Sequence, residues 1–268
     1  MQEFTDKTAP YQIPFEVYGL QLRFCTNTQE LLDRVEPMLP PGWKRIPRSN
    51  TQKRVGLLEE PGGVYSIYSD ELCTHDAPGL EYALLMLEHQ FAVHLAVDAT
   101  DFVSIHAGVV GYENRAILIP GYSFSGKTTL VRALVEAGAM YYSDEYAMFD
   151  SDGLVHPYAR RLSIRPPEGK HYDASAEELG GVEGTAPLRV GLVAVTHYVP
   201  GAAWEPQELS PSAGALAILE HAVSLQLRPA QTLETLRKVV DAATVLQGER
   251  GEATELAAQL LDTVRPAA

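Results

Sequence analysis

The sequence predicts an α/β fold, β-rich at the front and helical at the back. Three observations predict it. Alternating apolar and polar runs broken by Gly and Pro fill the first half. A strand, a glycine-rich loop and an amphipathic helix follow one another at 116–138. Helical periodicity returns at 212–264. The expected division is an N-terminal α+β part at 1–102, a core at 103–200 and a helical part at 201–268, packed as one compact unit.

The elements are expected in this order. Gln12 to Thr26 reads as a β-hairpin turning at Gly19. Thr28 to Leu39 reads as a short helix with Thr28 as N-cap, ended by the prolines at 37, 40 and 41. Arg54 to Leu58 and Val64 to Tyr68 read as strands. Pro78 to Asp98 reads as a helix with Tyr82, Leu85, Met86, His89, Val93 and Ala96 on its apolar face, His89 being a hydrogen-bonded core histidine. Val103 to Val110 and Ala116 to Ile119 read as strands around Gly111-Tyr112-Glu113-Asn114. After the loop, Leu130, Ala133, Leu134 and Ala137 line one helix face and Gly138 is its C-cap.

Ala139 to Tyr142 reads as a strand ending at Ser143-Asp144-Glu145, then a hairpin turning at Asp150-Ser151-Asp152-Gly153. Pro166 to Pro187, rich in Gly, Pro and Glu, reads as a loop or lid. Arg189 to Val199 is a strand. Ser212 to Leu227, Thr232 to Leu246 and Glu252 to Val264 read as helices, which could pack a core or mediate homo-oligomer formation.

Bulk numbers narrow the function classes. The 268 residues suit one large domain or two modest ones, and 46% apolar with 21% charged residues is the balance of a globular chain. A net charge of -14 repels phosphate backbones, so no nucleic-acid partner is expected. Cys25 and Cys73 have no zinc or redox spacing and are expected to be reduced thiols of a cytoplasmic protein. No signal peptide and no membrane-crossing run are read, so no membrane partner is expected.

The chemistry centres on Gly121-Tyr122-Ser123-Phe124-Ser125-Gly126-Lys127-Thr128, a full match to G-x-x-x-x-G-K-[ST]. Glycines let backbone N–H groups turn inward onto phosphate oxygens. Lys127 reaches the terminal phosphates, the Thr128 hydroxyl holds Mg²⁺, and the following helix points its positive end at the anion. Gly121, Ser123, Phe124, Ser125, Gly126, Lys127, Thr128 and Thr129 are therefore the candidate nucleotide site, with ATP and Mg²⁺ as expected cofactors. The chain has no Asn-Lys-x-Asp segment of a GTPase and no Leu-Ser-Gly-Gly-Gln signature of an ABC-type ATPase. Asp144-Glu145 at a strand end resembles a Walker B element placed unusually early. Such a pair suits a phosphotransferase, one carboxylate holding Mg²⁺ and the other taking a proton from an attacking hydroxyl.

The run Ile105-His106-Ala107-Gly108-Val109-Val110, the loop and Tyr142-Ser143-Asp144-Glu145 together resemble the catalytic domain of HPr kinase/phosphorylase. The likeness is good over 103–165 and closer still to the HPr-kinase-like serine kinases, among them precursor-peptide kinases of bacterial biosynthetic clusters. The resemblance implies a P-loop kinase core of HPr-kinase type, and a serine of a peptide or small protein as acceptor. It implies Asp144 as general base, and Glu145 as an aid to metal or loop positioning beside Thr128. It further implies His106 near the transferred phosphate, and Arg160, Arg161 or Arg165 as a clamp on the γ-phosphate or substrate. Read alone, His106 is a strand histidine satisfied by a backbone carbonyl, and the arginines are solvated charges. The acidic pair is Asp-Glu where the bacterial enzyme has Asp-Asp, and Thr129 stands where it has Glu. Leu162-Ser163-Ile164-Arg165 is a fragment of the later Leu-Glu-x-Arg-Gly signature of the reverse reaction.

Two other readings stand beside this one: a small-molecule hydroxyl kinase with the same core, and a nucleotide-binding regulatory protein without phosphoryl transfer. No base-reading motif separates ATP from GTP.

Overall fold

The structure, a computed structural model, describes residues 4–47, 53–165, 170 and 172–264. The chain divides into two compact units, Met1–Thr100 and Asp101–Ala268.

In the first unit, β1 (Tyr11–Val17) and β2 (Leu20–Thr26) form the expected hairpin. Tyr18 and Gly19 both take positive φ, the two-residue turn whose twist matches that of the strands. Thr28 caps α1 (Gln29–Val35), its Oγ1 accepting from the Leu31 N–H at 3.2 Å. A 3-10 turn at Glu36–Met38 follows. β3 (Lys44–Arg45), β4 (Arg54–Glu60), β5 (Val64–Ser69) and β6 (Leu72–Pro78) complete a sheet of order β3-β1-β2-β4-β5-β6.

α2 (Leu80–Asp98) is the expected helix, but its buried face differs from the expected one. Ala83, Leu84, Leu87, Phe91, His94 and Leu95 are buried, while Tyr82 and Leu85 are about half exposed and His89 lies in solvent. Apolar residues run all round this helix, so their period does not choose a face. The buried histidine is His94, bonded to Asp98 Oδ2 at 2.7 Å and Ser69 Oγ at 3.1 Å.

The second unit begins with β7 (Val103–Tyr112) and β8 (Arg115–Pro120), joined by Glu113 and Asn114 at positive φ. Then come α3 (Lys127–Glu136), β9 (Met140–Ser143), β10 (Tyr146–Phe149), β11 (Leu154–His156), β12 (Leu162–Ile164) and β13 (Tyr172–Ala174). β14 (Leu188–Tyr198), β15 (Gln207–Glu208), α4 (Pro211–Leu219), α5 (Pro229–Ala242), β16 (Thr244–Arg250) and α6 (Ala253–Val264) finish it. The main sheet has the order β11-β10-β7-β8-β14-β16-β15, with β9 also on β7 and β11 returning to pair with β14. β8, β14 and β16 run parallel, so their C-terminal ends share one edge.

Both faces of the sheet are covered. Leu130 and Leu134 of α3 and Leu256 and Leu260 of α6 pack with Ile117, Ile119 and Leu192. Ile218 of α4 and Leu236 and Val239 of α5 pack with Ile105, Leu118 and Val193 on the other side. Alternate residues of β8 thus serve opposite cores, which is why 116–119 reads as an unbroken apolar run.

Three expectations change here. The tail is not wholly helical: the helix expected to reach Leu246 stops at Ala242, and Thr244–Arg250 forms β16, pairing in parallel with β14. The open edge of β14 offers hydrogen bonds that a further helical turn cannot match. The helix expected over 212–227 ends at Leu219, because the chain turns to run along β7. The His221 carbonyl accepts from the His106 N–H at 2.9 Å, and the Val223 N–H donates to the Ser104 carbonyl at 3.0 Å. In the loop expected over 166–187, residues 166–169 and 171 lie outside the described residues. The remainder holds β13, paired with β12, and a 3-10 turn at Glu177–Leu179. The face of α3 is as expected except that Ala137 is exposed, and Gly138 (φ +101°) ends the helix.

Candidate active site

The glycine-rich loop leaves β8 at Pro120 and enters α3 at Lys127, at the C-terminal edge of the parallel strands. The Gly121 N–H still donates to the His106 carbonyl at 3.3 Å, extending the sheet by one bond. A Cβ at Gly121 would lie 2.6 Å from Ser125 Oγ, so a larger residue would displace that hydroxyl. Inside the turn the Tyr122 carbonyl accepts twice, from the Ser125 N–H at 3.2 Å and from Lys127 Nζ at 2.8 Å. Gly126 adopts the left-handed conformation (φ 84°) immediately before α3. Phe124 takes φ 67° with its ring 88% exposed, and Ser123 and Thr129 also face solvent. The first N–H groups of a helix have no partner within it, so the start of α3 supplies donors and a positive end to this loop.

Lys127 is buried. Burial lowers its pKa to about 8, against the raising influence of Asp144 and Glu145. The two carboxylates therefore lie close enough to act on the lysine. They sit where β9 passes into β10. Ser143 faces Val109 and Tyr146 faces His106, so the register along β7 carries across Asp144-Glu145, having shifted by one residue between Tyr141 and Ser143. Ser143 Oγ accepts the N–H groups of Glu145 and Tyr146 at 3.1 and 3.0 Å and sets the break.

Asp144 turns to the loop. Its Oδ2 accepts from Thr128 Oγ1 at 2.9 Å and its Oδ1 from the Tyr141 hydroxyl at 3.0 Å. Burial raises its pKa, while the two hydroxyls and the charge of Arg160 pull it down. Glu145 turns the other way and pairs with Arg160 Nη1 at 2.8 Å. Of the other two arginines, Arg161 is tied to Glu178 at 2.7 Å and to the Asp173 carbonyl at 2.8 Å. The Arg165 guanidinium lies 5.1 Å from the centre of the exposed Phe124 ring. The structure thus brings Asp144, Thr128 and Lys127 together, places Arg160 one side chain further out, and leaves Arg161 in the β12–β13 pair.

His106 lies on β7 opposite Tyr146, its ring 6.0 Å from the tyrosine ring. Burial, then the charges of Lys127 and His221, lower its pKa to about 4, so the imidazole is neutral near pH 7.

Three side chains at this site escape sequence reasoning. Tyr141 is fully buried and holds Asp144. His221 packs edge-on against Tyr122 at 4.5 Å between ring centres. Arg250, at the end of β16, reaches the Gly126 carbonyl.

Among the described residues no group of three or more His, Cys, Asp or Glu side chains is arranged to hold a metal. The oxygen pair Thr128 Oγ1 and Asp144 Oδ2 does fit Mg²⁺, which is commonly held by one or two carboxylates together with substrate phosphates. Among the described residues no helix is long and apolar enough to cross a membrane.

No protein-family model matches the chain, and no curated protein matches it. Among solved structures it is similar to the Hpr(Ser) kinase/phosphatase from Coxiella burnetii, with a TM-score of 0.35 and 13% identity over 60% of this chain and 93% of that one. A likeness at that score decides nothing about function.

Proposed function

We propose that the chain is a phosphotransferase that takes Mg²⁺-ATP and passes the γ-phosphate to a hydroxyl, a serine of a peptide or small protein. The observation that carries this reading is the contact of Asp144 with Thr128, which sets a carboxylate against the hydroxyl that ends the phosphate-loop motif.

The roles follow from the geometry. Backbone N–H groups of 121–128 and the N-terminus of α3 cradle the phosphates. Lys127 leaves the Tyr122 carbonyl for the terminal phosphates, an exchange of one oxygen for a charged one. Thr128 Oγ1 and Asp144 Oδ2 would hold Mg²⁺, which would supply positive charge against the phosphates. Asp144 takes the proton of the attacking hydroxyl, and Tyr141 fixes its carboxylate plane. His106, being neutral, contributes a hydrogen bond rather than a charge. Glu145, paired with Arg160 at 2.8 Å, would hold that guanidinium beside the acidic pair.

The polypeptide acceptor is supported by the resemblance carried at 103–165 and by Arg160 beside the acidic pair. The protein is incubated with radiolabelled ATP, Mg²⁺ and a cell extract split by size. Label in acid-stable phosphoserine on peptide or protein is expected. Label confined to small metabolites would make it a small-molecule kinase, and nucleotide binding with no transfer to any fraction would make it a regulator.

A further inference from the structure

Arg250 is 3% exposed, and the carboxylate that acts on its charge is Glu252, which makes no direct ion pair with it. Its Nη1 donates to the Gly251 carbonyl at 3.1 Å and its Nη2 to the Gly126 carbonyl at 3.2 Å, and its Nε is buried with no hydrogen-bond partner. The guanidinium lies 5.2 Å from the centre of the Tyr198 ring, and Glu252, its acidic neighbour in sequence, is taken by the Tyr198 hydroxyl at 3.0 Å. A buried cation without a paired anion is costly, and such groups persist where an anion completes them. Here the cation stands directly behind a loop built for phosphate.

The contact with Gly126 has a directional consequence. In a trans peptide the C=O and the following N–H point opposite ways, so a group that holds the Gly126 oxygen also aims the Lys127 N–H. That oxygen accepts from the Leu130 N–H of α3 at 3.1 Å and from Arg250, filling both lone pairs. Space is tight as well, since a Cβ on Gly126 would lie 2.5 Å from Nη2. The motif glycine at this position therefore leaves room for the arginine as well as for the left-handed turn.

We propose that Arg250 is a positioning residue for the nucleotide. From behind the loop it holds the Gly126–Lys127 peptide so that the Lys127 N–H faces the phosphates, and its charge adds to the attraction for the polyphosphate. This rests on the nucleotide-binding reading above.

The test is titration of Mg²⁺-ATP, Mg²⁺-ADP and AMP against wild type, R250M and R250K, each first checked for folding by circular dichroism. R250M is expected to weaken Mg²⁺-ATP binding by roughly 10- to 100-fold, the worth of a charge-assisted hydrogen bond. The loss should be smaller for Mg²⁺-ADP and smallest for AMP, and R250K, which keeps the cation, should recover much of it. An equal loss for all three nucleotides would mean a general weakening of the fold and overturn the proposal, as would unchanged affinity in folded R250M. If R250M does not fold, hydrogen exchange on ligand-free R250Q decides. Faster exchange at the Lys127 amide than in wild type supports the proposal, and an unchanged rate overturns it. Folded wild-type protein that binds no Mg²⁺-nucleotide overturns the proposed function and this inference together. Wild-type binding with an unaffected R250M overturns this inference alone.

Discussion

Lys127 is the residue whose surroundings make the sharpest demand. It is buried, held by one carbonyl, and loses its proton at about pH 8 because burial disfavours the charged form. A bound polyphosphate favours the charged form, so binding takes up a proton above that pH. Affinity for Mg²⁺-ATP should be flat below pH 8 and fall as pH rises beyond it, by at most about tenfold per unit. The stability of the ligand-free protein should move the other way. The unfolded lysine keeps its proton up to about pH 10.5, so this residue's contribution rises between the two values. Calorimetric titrations at pH 7 and pH 9 check the first statement; equal affinities would refute it. Lys127→Ala should abolish tight binding while the protein stays folded. Asp144→Asn should weaken Mg²⁺-ATP binding through the lost metal ligand and, with the nucleotide saturating, lose roughly 10²- to 10⁴-fold in transfer, the usual worth of a general base. Tyr141→Phe removes one of the two hydroxyls on Asp144 and should cost transfer by about tenfold with binding unchanged. A Tyr141→Phe protein with full transfer activity would return Tyr141 to a purely packing role.

At the scale of elements, legibility followed whether the signal was local. The hairpin at Gly19, the Thr28 cap and the strand–loop–helix around Gly121 are encoded by neighbours in sequence, and the structure has them where they were expected. β16 and the early end of α4 are decided by partners far along the chain, the edges of β14 and β7, which no window around 244–250 or 220–227 contains. The candidate site divides the same way. The loop and the acidic pair are contiguous motifs, whereas Tyr141, His221 and Arg250 join them only through the fold. The end of α3 was legible and offers a clean energetic test. Gly138 (φ +101°) closes a two-bond cap, its N–H donating to the Val135 carbonyl at 2.9 Å and the Ala139 N–H to the Leu134 carbonyl at 3.0 Å. No atom lies within 4 Å of a Cβ placed there, so Gly138→Ala meets only the conformational penalty. The cost should be about 1–2 kcal/mol in chemical denaturation. A neutral result would mean that α3 ends by some other device.

On the scale of the whole molecule, the division at Thr100 and Asp101 assigns the chemistry to one side. The loop at 121–128, Asp144, Tyr141, Arg160 and Arg250 all lie in the unit that starts at Asp101. That unit covers both faces of its own sheet, with α3 and α6 on one and α4 and α5 on the other. Residues 101–268 are also enough to bury a core of ordinary size for a single domain. Expressed alone, they should fold cooperatively and bind Mg²⁺-ATP within a few-fold of the full chain. Thermal denaturation followed by titration checks both parts. A fragment that melts cooperatively but does not bind would place some of the nucleotide site in residues 1–100, against the positions of every side chain named above. A fragment that binds ATP but no longer labels the acceptor phosphorylated by the full chain would separate the two tasks. Phosphate chemistry would then belong to the second unit, and acceptor recognition to the first.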